Sequence, residues 1–211
     1  MYNLPYFKEQ DKETILEFIK KHPFAFLAGA NADCNPIVTQ IPVFIDEREG
    51  VLYLSGHLMK NTDHHQAFLQ NQKVLAVFTG PHTYVSASWY SDKKQASTWN
   101  YMSVHARGTI RFTDEQALLE ILKRTTNHFE NNPQSGSNFE DLPQEYVNRL
   151  SKAIVAFEIR VEHLENVFKL SQNRDKASYD NIIERLNEQD VEAKKVAEEM
   201  LARRSKLFNE Q

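Results

Sequence analysis

An alternation of apolar and polar residues in the first half of the chain restricts its fold more than any other feature. The residues at every second position of the run 36–46 are Ile37, Thr39, Ile41, Val43 and Ile45. A period of two predicts a β-strand with one buried face. The segment 47–50 ends in glycine, and 51–55 returns to a strand pattern. The two runs therefore predict a β-hairpin.

The remaining chain mixes helix and strand patterns without an internal repeat. Capping signals and helical spacing predict helices over 12–22, 60–71, 114–131, 143–152, 178–187 and 191–208. Residues rich in β-branched and aromatic types predict strands over 24–30, 74–79, 97–113 and 153–164. Gly80 and Pro81 are expected to end the second of these strands, and Gly108 to mark a bulge or a close approach of two backbones. The order of elements predicts an α+β fold with a closed or partly closed β-barrel core.

Charge and cysteine content restrict the partners and the compartment. The 211 residues carry a formal net charge of −4, and glutamates interrupt the most basic stretch, 194–206. Proteins that grip nucleic acid through its phosphates usually present a basic face, so this balance argues against direct DNA binding. Cys34 is the only cysteine, and the N-terminus has neither the basic nor the apolar part of a signal peptide. We expect a cytoplasmic protein.

The segment Ser55–Thr62 contains Gly56, His57, Lys60 and Asn61 where a strand is expected to lead into a helix. Free backbone N–H groups and the helix dipole at such a turn favour an anion, and the cations could neutralise a phosphate. An ordinary helix cap with solvated side chains explains the same residues. Both readings stay open on this segment alone.

Two further segments, 80–90 and 98–108, mix tryptophan and tyrosine with short polar residues. This composition suits a wall that stacks on a planar ligand and hydrogen-bonds its edges. Aromatic packing in a core or in a dimer interface is the competing interpretation. The motifs of phosphate-binding loops, dinucleotide folds, serine hydrolases and zinc proteases are absent from the sequence. No catalytic residue is predicted.

Histidines cluster at His57, His64 and His65. The last two are neighbours on a predicted helix, so their side chains point in different directions and do not easily share one ion. We therefore predict no metal site and expect these histidines to be ordinary surface residues.

Taken together, these segments resemble the PaiB family, a branch of the FMN-binding split barrels that also include pyridoxamine phosphate oxidase. The resemblance extends over nearly the whole chain. Its marks are Tyr6-Phe7, Thr39-Gln40-Ile41-Pro42, Gly56-His57, Gly80-Pro81-His82 with Tyr84, Ser86 and Ser88-Trp89-Tyr90, Thr98-Trp99-Asn100-Tyr101, Val104-His105-Ala106 and Phe168-Lys169-Leu170-Ser171-Gln172-Asn173-Arg174.

The resemblance implies a homodimeric split barrel, over residues 1–174, with FMN at the subunit interface. A helical extension, 175–211, is expected to pack on this barrel. The residues that the resemblance places near FMN in one subunit are Thr39, Ile41, Pro42, His57, Lys60 and Asn61. Those that it places on the partner side are Trp99, Asn100, Tyr101 and His105. The oxidase branch supplies more cations to the phosphate, whereas here His57 and Lys60 are the nearest ones.

Two functions are compatible with the resemblance. PaiB proteins are described as negative transcriptional regulators, which implies a DNA or protein partner or a flavin-linked signal. The alternative is an FMN-dependent oxidoreductase acting on a small molecule, because the flavin itself carries the electron chemistry. Residues 168–174 are expected either to close over the flavin, to contact the partner subunit, or to form a loop before a helix near Asp175.

Overall fold

The computed structural model describes residues 1–2, 4–132 and 134–208. Its strands are β1 Phe24–Ala30, β2 Pro36–Pro42, β3 Phe44–Arg48, β4 Val51–Met59, β5 Lys73–Val85, β6 Thr98–Phe112 and β7 Ile154–Lys169. Its α-helices are α1 Lys12–Lys21, α2 Asp63–Gln70, α3 Glu115–Glu130, α4 Gln144–Ser151, α5 Lys176–Asn187 and α6 Val191–Leu207. The strands form one sheet in the order β2-β1-β5-β6-β7-β4-β3. Within the described residues, no helix has the length and apolarity needed to cross a bilayer.

The predicted hairpin is present, but its first strand is divided. Strands β3 and β4 pair antiparallel down to Arg48 opposite Val51. The two residues of the turn, Glu49 and Gly50, have φ values of 52° and 77°, the left-handed conformation that a tight hairpin requires. The run predicted as one strand breaks at Val43, since β2 pairs with β1 whereas β3 pairs with β4.

Three strands run further than the sequence predicts. Strand β5 continues through Gly80 and Pro81 to Val85, β4 through Gly56 to Met59, and β7 past Leu164 to Lys169. A Cβ atom on Gly80 would lie 2.6 Å from the ring of Phe18. Gly80 is therefore a position where a neighbouring ring approaches the backbone, and the prediction that it ends the strand was wrong. His57 accordingly lies inside β4, and the turn before α2 is confined to residues 60–62.

The described chain forms two compact units. The first contains Met1–Phe18, Thr79–Val104 and the C-terminal segment from Glu165. Within it, α5 packs against α6, and the fully buried Tyr179 donates a hydrogen bond of 2.9 Å from its hydroxyl to the Met200 carbonyl. Asn181 on α5 also donates to the Trp89 carbonyl at 2.7 Å. The sequence-based boundary between residues 174 and 175 stays a prediction.

The second unit contains Ile19–Phe78 and His105–Leu164. Its core collects the apolar faces of β1, β4, β5 and β7. The largest side chains that are completely buried in it are Ile19, Leu27, Leu54, Phe68, Phe78, Ile110, Phe157 and Ile159. The turn before α2 lies in this unit, and the aromatic segment 80–90 lies in the first.

Candidate functional site

The turn between β4 and α2 gathers a lysine and two histidines. Asn61 adopts a left-handed conformation with a φ of 62°. Its N–H group donates to Nδ1 of His65 at 3.1 Å. The Thr62 hydroxyl donates to the Met59 carbonyl at 3.0 Å and lies 2.9 Å from Nε2 of His64. The turn is therefore fixed by its own side chains.

The N-terminus of α2 is already capped by the chain. Thr62 accepts a hydrogen bond from the His65 N–H group at 3.3 Å, and the Asp63 carboxylate accepts from the His64 N–H group at 2.8 Å. Free N–H groups at this helix start, which the sequence favours as phosphate ligands, are thus partly used. The attraction for an anion comes chiefly from the side-chain charges.

The expectation that both adjacent histidines are surface residues was wrong for His65. His65 is 8% exposed and packs edge-on against Phe112, with 4.8 Å between the ring centroids. Burial lowers its pKa, and the nearby charges of His64 and Lys60 lower it further. This pKa direction agrees with the acceptor role of Nδ1 toward Asn61, because an imidazole that accepts at Nδ1 is neutral.

The donor chemistry of this turn fits the phosphate of FMN. The charge of Lys60 lowers the pKa of His65, and a permanent cation at this turn is the electrostatic setting that a phosphate prefers. Lys60 forms no ion pair among the described residues, so its ammonium group is available. Because Lys60 is the only permanent cation at this turn, we expect the affinity for FMN to be moderate.

The strand residues assigned by resemblance approach β4 at one point. A Cβ atom on Gly56 would lie 2.9 Å from the Pro42 carbonyl oxygen, so β2 and β4 come together there. Ile41 is buried, Thr39 and Pro42 are half-buried, and β2 pairs with β1 through Thr39 opposite Leu27. The backbone at Pro42 is therefore close to β4, and contacts of Thr39, Ile41 and Pro42 with FMN stay a prediction.

His57 lies on the partly exposed face of β4 together with Ser55. Nδ1 of His57 and the Ser55 hydroxyl are both buried and have no hydrogen-bond partner among the described residues. Burial lowers the pKa of His57. Ser55 also lines a cleft of about 620 Å³ with residues of α3, which include Ile121 and Arg124. His57 is thus neutral and less suited to neutralising a phosphate than Lys60 is.

Three exposed aromatic rings form a surface on β5 and β6 of the first unit, which we call the aromatic platform: His82, Tyr84 and Trp99. The Trp99 ring lies 6.2 Å from His82 at an interplanar angle of 34° and 6.1 Å from Tyr84 at 72°. Tyr84 is 48% exposed and Trp99 is 53% exposed. Solvent-facing aromatic surface of this kind suits stacking on a planar ring. Of these residues, the sequence analysis named only Trp99 as an FMN contact, whereas His82 and Tyr84 lie in the segment 80–90 that it predicted as a possible wall for a planar ligand.

The other residues predicted on the partner side have different surroundings. Asn100 is completely buried, where its amide donates to the Met200 sulfur at 3.5 Å and its carbonyl accepts from the Ser171 hydroxyl at 3.0 Å. This burial argues against a ligand contact for Asn100. Tyr101 is half-buried, and burial followed by the effect of Tyr2 raises its pKa. His105 is half-buried and belongs to the second unit.

The family comparison identifies the family of the chain and the cofactor of that family. Residues 1–163 match the family model described as "Putative FMN-binding domain". The chain belongs to this FMN-binding family. It is also 33% identical over 201 residues to the Protease synthase and sporulation protein PAI 2 of Bacillus subtilis, a match that covers 95% of this chain and 96% of that protein. The resemblance to the PaiB family is thereby confirmed, and FMN is the cofactor of the family.

Solved structures confirm the fold class. The flavocytochrome from Azotobacter vinelandii superimposes with a TM-score of 0.57 at 16% identity, covering 80% of this chain and 72% of that chain. The FAD and heme binding protein from Mycobacterium smegmatis superimposes with a TM-score of 0.55 at 16% identity, covering 77% and 73%. The α+β split-barrel fold predicted from the sequence is confirmed. Across residues 1–2, 4–132 and 134–208, no three His, Cys, Asp or Glu side chains cluster as a metal site.

Proposed function

We propose that the protein is a cytoplasmic PaiB-type homodimer that holds FMN between two copies of the chain. The phosphate would be held by Lys60 and His64 at the β4–α2 turn of one copy. The flavin ring would lie against the aromatic platform of the partner subunit. The observation that carries this proposal is the unpaired, half-buried Lys60 at a turn whose other polar groups are already bonded.

An apolar sheet face supports the dimer. Phe24 and Phe26 on β1 are 57% and 38% exposed, and Val38 on β2 is 59% exposed. The registers place Val38 opposite Ala28 and Val77 on β5 opposite Phe26. Phe24, Phe26 and Ala28 alternate along β1, so these exposed apolar side chains share one face. Neighbouring exposed apolar residues on one sheet face are typical of a protein interface. A second copy of the chain would cover this face and would also bring its aromatic platform to the β4–α2 turn.

In this arrangement the chain's residues bind and orient the cofactor. Lys60 supplies a fixed positive charge, and the neutral His65 holds the turn through Asn61. The rings of the platform exclude water from one flavin face. When bound, FMN supplies one- or two-electron transfer.

Replacing Trp99 with alanine is expected to weaken FMN binding by about tenfold, because one stacked aromatic contact contributes about 1–1.5 kcal/mol. The measurement is titration of the apoprotein with FMN, following quenching of flavin fluorescence, with sedimentation of the same samples. Tyr146→Ala removes another exposed aromatic ring, on α4, and is the control. Equal FMN affinities of the Trp99 and Tyr146 variants, in samples that remain dimeric, would exclude the platform as the flavin surface.

We propose that the protein, with FMN bound, acts as a negative regulator of transcription. It would act through a flavin-linked signal or through a protein partner. The Bacillus subtilis relative is named for protease synthesis and sporulation, which is consistent with a regulatory role. The cations of α6 are largely neutralised by carboxylates, as in the pairs Lys195–Glu192 and Arg204–Asp180. This pairing and the net charge of −4 favour an indirect action over direct reading of DNA.

An FMN-dependent oxidoreductase is the second candidate. The exposure of Tyr84 and Trp99 favours it, since an open platform leaves room for a small planar substrate beside the flavin. The chemistry would then belong to the flavin, and the protein would supply position and electrostatics.

A regulatory output predicts that target transcripts rise in cells that carry Lys60→Ala in place of the wild-type chain, because the variant lacks the flavin signal. Lys123→Ala, which removes a lysine paired with Glu140, should leave the transcripts unchanged. Transcript levels and steady-state NADH or NADPH oxidation with added FMN are measured in parallel. FMN-stimulated turnover with unchanged transcripts would favour the oxidoreductase.

A further inference from the structure

Two cations of the first unit lie five residues apart in the chain, on the segment that leads from β7 to α5. Lys169 ends β7, and Arg174 lies in the turn before α5. Neither forms an ion pair with a carboxylate in the described part of the chain. Burial lowers the pKa of Lys169, and the charge of Arg174 lowers it further. Two like charges in a partly desolvated place repel each other, and a bound anion would remove that repulsion.

The surroundings of Lys169 hold its ammonium group in place. It donates a hydrogen bond to the Thr98 hydroxyl. The ring centroids of Tyr2 and Phe7 lie 5.6 Å and 6.0 Å from Nζ. Aromatic rings attract a cation without neutralising it. Lys169 therefore lies beside aromatic rings and has no carboxylate counter-ion among the described residues.

The surroundings of Arg174 are of the same kind. Its guanidinium group lies over the Tyr90 ring at 4.0 Å, and Nη1 donates to the side-chain oxygen of Gln95. Nε of Arg174 and the buried Tyr90 hydroxyl have no hydrogen-bond partner among the described residues. The neighbouring carboxylate of Asp175 accepts from Ser178 and Ser91 instead.

The segment that connects the two cations is fixed rather than free. Ser171 has a left-handed φ of 63° and donates to the buried Asn100. Gln172 accepts from the Leu170 N–H group at 2.7 Å and donates to the Phe168 carbonyl. These bonds preorganise the spacing of the two cations before any ligand arrives. A turn that is only solvated does not require the hydrogen bonds that Ser171 and Gln172 form here.

We propose that Lys169 and Arg174 form a binding site for the anionic group, a carboxylate or a phosphate, of a small ligand. The guanidinium fork and the lysine would take the oxygens, and Tyr2 would cover the attached organic part. The site does not rest on the FMN proposal, since its cations are neither Lys60 nor members of the aromatic platform and it is tested in the protein without flavin.

The test is titration of the full-length apoprotein with benzoate and with inorganic phosphate, followed by ligand-detected NMR. Saturable binding is expected, and Lys169→Gln and Arg174→Gln should each weaken it by about tenfold, or about 1.4 kcal/mol. Lys169→Arg should restore most of the affinity. The control is Lys195→Gln, which removes a lysine that is paired with Glu192. A preference for benzoate identifies an aromatic carboxylate as the ligand type, and a preference for phosphate identifies a phosphorylated one.

A structural role for the two cations makes the opposite prediction for stability. If Lys169 mainly held the fold together, Lys169→Gln would lower the melting temperature, whereas relief of repulsion with Arg174 leaves it equal or higher. The proposal is overturned by equal affinities of the Lys169, Arg174 and Lys195 variants, or by a wild-type chain that does not saturate. It is also overturned if Lys169→Gln weakens FMN binding as much as benzoate binding, because the site would then hold the flavin phosphate. Loss of FMN binding in Lys60→Ala with benzoate binding intact would separate the two sites.

Discussion

Replacing Lys60 with alanine is expected to weaken FMN binding by about 10- to 100-fold, because a charge-assisted hydrogen bond to phosphate contributes about 1.5–3 kcal/mol. Lys60 has no ion-pair partner among the described residues, and His64 at the same turn is bonded to Asp63 and Thr62. No second permanent cation at the turn replaces the lost charge. The measurement is fluorescence titration of the apoprotein with FMN at two salt concentrations. The difference between wild type and variant should shrink at the higher salt concentration, since salt screens the lost attraction.

Lys123→Ala removes the same charge from the same unit at an exposed ion pair with Glu140 and should bind FMN like the wild-type chain. Lys60 also lines a pocket of about 250 Å³ that contains Asp114 and Glu115. Unchanged affinity in Lys60→Ala would mean that its ammonium group points toward those carboxylates and that the phosphate is bound elsewhere.

Replacing Gly108 with alanine is expected to lower the free energy of unfolding by about 3 kcal/mol, the upper end of the usual range for overpacking. A Cβ atom at this position would lie 2.3 Å from the Arg160 carbonyl oxygen and 2.8 Å from Cγ2 of Ile159. The first contact is with backbone, so the strands β6 and β7 would have to separate locally. The measurement is urea unfolding followed by circular dichroism.

Gly50→Ala separates this crowding from an effect of backbone conformation. Gly50 has a φ of 77° and no atom within 4 Å of its Cβ position, so alanine there should cost about 1 kcal/mol from conformation alone. Equal losses in the two variants would show that β6 and β7 are not packed closely at Gly108.

The two proposed anion sites differ in what surrounds their cations. At the β4–α2 turn, the chain satisfies its own helix start, and Lys60 is a single charge. At the end of β7 and in the turn that follows it, Lys169 and Arg174 are two cations, and each lies beside an aromatic ring. At the first site, Lys60 would be the only permanent charge facing a dinegative phosphate, and we expect the binding to depend strongly on salt. At the second site, the rings add contacts for the organic part of a ligand.

The sequence alone was sufficient where the signal is local. The hairpin follows from alternation and a glycine turn, and the start of α1 follows from Asp11, whose short side chain accepts from the N–H group three residues ahead. The close approach at Gly108 was also predicted from an isolated glycine in a strand. Family membership and the FMN cofactor were predicted from the order of many short motifs.

Tertiary structure alone decided the surroundings of individual site residues. Asn100 is buried because Met200, from a helix 100 positions later, and Ser171 take its amide, and no local pattern announces such partners. His65 is buried because Phe112 packs on its ring, although its sequence neighbours suggest a surface helix. Gly80 continues a strand instead of ending it, since the ring of Phe18 needs the space. Lys169 and Arg174 have no carboxylate partner among the described residues. This also depends on tertiary structure, because distant carboxylates are bonded elsewhere. Local preference determines which elements form, whereas burial, charge compensation and access depend on residues that only folding brings together.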